Sequence, residues 1–251
     1  MTAWFASESN HPFVMFSFSH ITMLILFGLG LVLLFIYKSE LMKGRASHTI
    51  VRWTLLSALL LSELSYQLWA LSHNLFTTFE HLPLHLCGIA SITGIFALLT
   101  YNKKLIQINF FIAIVPSVIA LITPEIPHGY EHFRFWKFFI HHMAIPWTGL
   151  FLILSTRTTV HFKVMCETYC YLVVYALAVG LFNQAFQTNY LFLSQPPSSF
   201  PALALLSAGL GYQINLALLA FGVFYLFLVF YKVIHTRKRS DGNGIQGNER
   251  V

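Results

Sequence analysis

Polar and apolar positions along this chain sort into blocks, with seven long apolar runs divided by short polar breaks. The runs are Phe13 to Tyr37, Val51 to Leu71, Leu82 to Tyr101, Leu105 to Ile122, Trp136 to Leu154, Val164 to Phe182 and Leu210 to Val233. A hydrocarbon core of ~30 Å takes about 20 helical residues to cross, and each run has that reach. Backbone in hydrocarbon must satisfy its own polar groups, so the pattern predicts helices. The expected fold is all-α: a polytopic membrane domain of seven transmembrane helices over residues 1–234, followed by a disordered basic tail over 235–251.

Composition agrees with that reading. Of 251 residues, 57% are hydrophobic and only 10% charged, whereas a soluble domain carries about a quarter charged residues. The cations fix an expected orientation, because Lys and Arg concentrate in cytoplasmic loops near span ends. Lys38, Lys43, Arg45, Arg52, Lys103, Lys104, Arg157, Lys163, Lys232, Arg237, Lys238, Arg239 and Arg250 fall on one side, against Arg134 and Lys137 on the other. Thirteen against two puts the N-terminus outside and the C-terminus in the cytoplasm. The net charge of +6 then reads as an insertion signal, and no nucleic-acid partner is expected. The stretch before Phe13 lacks the basic n-region of a signal peptide, so the first span is expected to be retained. No repeat of 20 to 50 residues is visible.

Nine histidines, among them His20, His81, His85, His141 and His142, fall outside or in the outer half of a span, which directs the search for chemistry there. The segment HLPLHLCG, from His81 to Gly88, sets a thiol among imidazoles. Counted along their spans, Cys87 and His142 each lie six residues in, or roughly 9 Å at ~1.5 Å per residue. They would meet if the third and fifth spans are neighbours. His85 is a poorer partner for Cys87, since residues two apart on a helix point to different faces. Pro146 removes the hydrogen bond to the His142 carbonyl, which suits either a cavity or a packing kink.

Glu63 near the middle of the second span, with Gln67 one turn away on the same face, is a functional candidate or a structural tie between helices. Asn183, Gln213 and Asn215 extend the polar ring, each readable also as interhelical glue. A lone buried cysteine is more often a small inert hydrophobe than a nucleophile, and the residues alone leave both readings open for Cys87. Cys166 and Cys170 take the inert reading.

Absences prune the alternatives. Asp241 is the only aspartate, which removes aspartyl proteases, Asp-dependent lipid phosphatases and acyltransferases built on a His and Asp pair. There is no nucleophile elbow of the Gly-x-Ser-x-Gly type and no Walker loop.

The segments FVMFSFSHITML (13–24), ELSYQLW (63–69), LPLHLCGI (82–89), FRFWKFFIHH (133–142) and NYLFL (189–193) together resemble the YwaF-like integral membrane proteins, related to eukaryotic transmembrane protein 164. The resemblance covers nearly the whole chain. It implies a multi-pass protein of the bacterial cell membrane and a phospholipid acyltransferase with a cysteine nucleophile and a histidine, carried onto Cys87 and His142. The partners would be membrane phospholipids and lysophospholipids, with no cofactor and no metal. Under it, Glu63, Gln67, His85 and His20 would orient the base or polarise the carbonyl, with His141 beside His142. Two rival readings stand next to it. One is a zinc-dependent lipid hydrolase drawing on His20, His81, His85, His141 and His142 with Glu63. The other is a transporter or ligand-binding protein that uses the polar outer cavity without catalysis.

Overall fold

A computed structural model describes residues 3–7, 11–44, 46–79, 81–156, 158–197 and 201–246. Arg45, Arg157 and Arg250 of the charge count lie outside the described residues. The helices are α1 (Phe18–Ile36), α2 (Lys38–Met42), α3 (Ala46–Ser72), α4 (Leu86–Thr100), α5 (Lys103–Ile122), α6 (Phe133–Thr156), α7 (Phe162–Phe186) and α8 (Gly209–Gln246). Short 3-10 turns stand at Ala3–Phe5, Tyr190–Phe192 and Pro201–Leu206.

Every apolar run becomes a helix, and six of the helices are long and apolar enough to cross a membrane. The third run differs. Only 15 of its residues are helical, about 22 Å at the helical rise, short of the hydrocarbon thickness. Pro83 explains the late start: it lacks an N–H and disfavours helical geometry in the residue before it. The last helix differs in the other sense. Its backbone stays helical to Gln246, which carries it into residues 235–251, expected to be a disordered tail; residues 247–251 lie outside the described residues.

Helix starts follow capping chemistry. Ser17 caps α1 by accepting from the His20 backbone N–H, and Asn102 Oδ1 accepts from the N–H groups of Lys104 (2.9 Å) and Leu105 (3.3 Å) to start α5. At the other end of α4, Arg52 donates to the carbonyls of Leu98 (2.8 Å) and Leu99 (3.1 Å). That places a cation where the helix dipole is negative.

Helices α3 to α6 form the packed centre. Asn109 of α5 donates to the Ala90 carbonyl (2.7 Å) and to Thr93 Oγ1 (3.1 Å) on α4. A Cβ at Gly94 would stand 3.2 Å from both Asn109 and Thr148, so the absence of a side chain permits this close approach. Helices α7 and α8 join the same core through Val164, Met165, Phe224, Leu228 and Tyr231, near the lysine-rich end. There Lys104 of α5 also pairs with Glu167 of α7. Toward the histidine-rich end a cavity opens between α5, α7 and α8.

Candidate active site

The short α4 creates the site. Residues 82–85, which a full-length helix would have drawn on, fold instead with residues 73–79 and 81 as a loop over the start of α4. Irregular backbone at membrane depth is tolerated where protein buries it or where it lines a cavity, and here partners from three other segments hold it. Gln67 of α3 donates to the His81 carbonyl (2.8 Å), and Tyr175 of α7 donates to the Leu84 carbonyl (2.9 Å). The Tyr190 hydroxyl donates to the Thr78 carbonyl (2.8 Å) and accepts from the Leu82 N–H (3.2 Å). The loop presses directly on the helix, for a Cβ on Gly88 would lie 2.5 Å from the Pro83 carbonyl oxygen.

Cys87 is therefore the second residue of α4, with His85 at the N-cap position. It is not six helical residues deep, as counting along an unbroken span suggested. First-turn N–H groups have no acceptor inside their own helix, and the positive end of the dipole acts there. The thiol accepts a hydrogen bond from Ser117 Oγ of α5 at 3.8 Å.

His142 lies nine residues beyond the start of α6 at Phe133, about 14 Å along its axis. Cys87 and His142 therefore lie at different distances from the starts of their own helices. Nδ1 of His142 is 2.8 Å from the Phe138 carbonyl. A carbonyl only accepts, so Nδ1 carries the proton and Nε2 of the neutral ring keeps a lone pair. His141 instead turns its Nδ1 to Ser62 Oγ at 2.7 Å.

Cys87, His85, His141, His142, Glu63 and Lys137 all border one cavity of about 1750 Å³. That exceeds the 300–1,000 Å³ typical of small-molecule sites. From this polar end the cavity continues as an apolar slot between α5, α7 and α8, bounded by Val115, Ile119, Val173, Ala176, Leu216 and Ala220. Leu177 and Leu181 border it while remaining 66% and 69% exposed. The slot is thus not sealed from the surface that faces lipid.

The other expected residues separate into two groups. Glu63 accepts from Gln67 Nε2 (2.7 Å) and stands 3.7 Å from Lys137 Nζ, so its carboxylate is engaged in an ion pair. His85 packs its ring on Tyr190 and Phe192, both at 5.0 Å. Asn183 borders the cavity, yet its amide is spent on structure: it bonds Tyr190 through both backbone groups and accepts from Thr188 Oγ1 at 2.6 Å. His20 and Asn215 stand apart from the cavity. His20 is fully buried, with one ring nitrogen on the Leu121 carbonyl (2.8 Å) and the other accepting from the Phe16 N–H (2.9 Å), and Asn215 donates to the Leu206 carbonyl (2.6 Å). Among the described residues no three of His, Cys, Asp and Glu are grouped to hold a metal ion.

Two participants escape a linear reading. Ser117, buried on α5, supplies the thiol's hydrogen bond, and Lys137, counted from sequence only as an outer-side charge at the start of the fifth span, turns into the cavity with its side chain 15% exposed. Arg134, Lys137 and His141 repeat at i, i+3 and i+7, a one-face helical spacing that could have exposed Lys137.

Fold and cavity together define a multi-pass helical membrane protein whose thiol and imidazole groups face a common lipid-sized internal space. The family model described as the TMEM164 family matches residues 15–230, and the chain belongs to that family. No curated protein and no solved structure matches the chain.

Proposed function

We propose that this protein is a phospholipid acyltransferase of the cell membrane, oriented with its histidine-rich end outward, in which Cys87 is the nucleophile and His142 the general base. The reading rests above all on one observation: a free cysteine at a helix N-terminus and a histidine with an available Nε2 border the same cavity, which runs on into an apolar slot suited to acyl chains.

In the reaction, His142 Nε2 takes the thiol proton of Cys87, and the thiolate attacks the ester carbonyl of a donor phospholipid. The ester C–O bond breaks, the lysophospholipid oxygen leaves with the proton returned by His142, and the acyl group remains on sulfur as a thioester. An acceptor lysophospholipid hydroxyl then gives its proton to His142 and attacks the thioester. The C–S bond breaks, and the thiolate recovers the proton. Passing through a thioester divides one hard transfer into two easier ones, with one histidine acting as base and then acid. The first-turn N–H groups of α4, beside Cys87, support the reading, because such donors stabilise charge that develops on a carbonyl oxygen.

The test is mass spectrometry of the purified protein after incubation with phospholipid. An acyl adduct on Cys87, released by hydroxylamine and absent from Cys87→Ala, is the expected result. Acyl transfer between labelled lipids that survives in Cys87→Ala would end the covalent mechanism.

A further inference from the structure

Lys137 and Arg134 have no part in the reaction above, yet both turn into the cavity from the first two turns of α6. Charged groups inside a membrane domain are costly and signal function by default. The Lys137 ammonium lies 4.3 Å from the Tyr66 ring centroid and 3.7 Å from the Glu63 carboxylate. The Arg134 guanidinium sits over Tyr66 (5.4 Å) and Trp69 (5.1 Å) and donates to the Tyr66 hydroxyl (3.5 Å). These aromatic faces hold both cations in place without neutralising them. Glu63 is itself shared with Gln67, while Glu125, the other cavity carboxylate, acts on His85. Around Tyr66, Arg134, Lys137 and Glu63 sum to one positive charge, which one phosphodiester would cancel, while Glu125 at His85 brings the cavity as a whole to neutrality.

Position along α6 points the same way. Lys137 precedes His142 by five residues, about 7.5 Å along the helix, toward the histidine-rich end. The glycerol backbone separates a phospholipid's phosphate from its ester carbonyls by only a few bonds. An anion at Lys137 thus leaves the ester near Cys87 and His142 and the chains directed into the apolar slot, the order in which a lipid lies within one leaflet.

We propose that Arg134 and Lys137 form a phosphate seat that anchors the lipid headgroup and sets the selectivity of the cavity for phosphate-bearing lipids. The seat rests on the acyltransferase reading for its purpose but is tested apart from it. Ammonium and guanidinium groups bind phosphate by charge-assisted hydrogen bonds, and loss of one costs about tenfold or more in affinity.

The experiment measures binding in the full chain carrying Cys87→Ala, so that no chemistry intervenes. The probes are a di-ether phospholipid and the matching di-ether glycerol without phosphate, with inorganic phosphate as competitor. The expected result is preference for the phospholipid, which falls toward one in Lys137→Met, in Arg134→Gln and in the charge-balanced Glu63→Gln/Lys137→Met, and is restored toward wild type in Lys137→Arg. Inorganic phosphate competing only weakly marks the lipid as the source of the anion. Equal binding of both probes by the wild-type background, or unaltered preference in the variants, overturns the seat. A thermal melt of each variant identifies any that do not fold, and the Lys137→Arg comparison then decides. Absence of an acyl adduct on Cys87 would instead defeat the acyltransferase reading and leave this binding result standing.

Discussion

Replacing Gly88 by Ala tests whether the loop over α4 is built as described. The new Cβ would stand 2.5 Å from the Pro83 carbonyl oxygen and 2.8 Å from its carbon, both backbone atoms. Ordinary contact begins at 3.4 Å, so helix and loop must part by about 0.9 Å. The loop has little room to yield. It is held at His81 by Gln67 (2.8 Å), at Leu84 by Tyr175 (2.9 Å) and at Leu82 by Tyr190 (3.2 Å). Adding about 0.9 Å takes any of these beyond hydrogen-bonding distance. Loss of one or two such bonds costs about 1–3 kcal/mol, against a gain of about 1 kcal/mol from the better helix former. The expected net effect is destabilisation by up to about 2 kcal/mol, together with slower modification of Cys87 by a neutral thiol reagent as the helix start shifts. Thermal unfolding in detergent and the rate of thiol labelling measure the two effects. A Gly88→Ala variant that melts higher than wild type, with labelling unchanged, would refute the close contact between loop and helix.

Three further expectations concern separate contacts. Asn183→Ala removes three hydrogen bonds that tie the Thr188–Tyr190 turn to α7 and should lower stability by about 3 kcal/mol, read from the unfolding midpoint. Ser117→Ala removes the hydrogen bond the Cys87 sulfur accepts and should slow thiol labelling severalfold, while unchanged labelling would discount that contact. Burial, reinforced by His132 and Arg134, holds the His128 imidazole at about 4 against an ordinary 6.5. The unfolded chain then binds the proton first, so this contribution to stability is complete above about pH 6.5 and is lost as the pH falls toward about 4. The melting temperature should drop across that interval, and His128→Gln should flatten the drop.

The seven apolar runs show directly in the sequence because burial in hydrocarbon demands length and apolarity, which are local properties. Their ends were less legible. The cap at Asn102 starts α5 two residues before the expected Leu105, since cap and dipole chemistry act outside the apolar block. The shortness of α4 was foreshadowed by Pro83, but what holds the loop comes from Gln67, Tyr175 and Tyr190, distant in sequence. No local pattern reports such contacts. His20 and Lys137 are the clearest cases for the site: one intramembrane histidine proves fully committed to backbone, and one apparent surface lysine turns inward. Hydropathy ranks residues by type, whereas these two are decided by the direction in which a side chain leaves its helix.

The connection between α4 and α5 is only Tyr101 and Asn102, the first in the left-handed conformation and the second capping the next helix. Lys103 and Lys104 follow at once. So short a connection turns the chain straight back, and the 15-residue helix and the strongly apolar 20-residue one form an antiparallel helical hairpin whose basic turn marks one edge of the bundle.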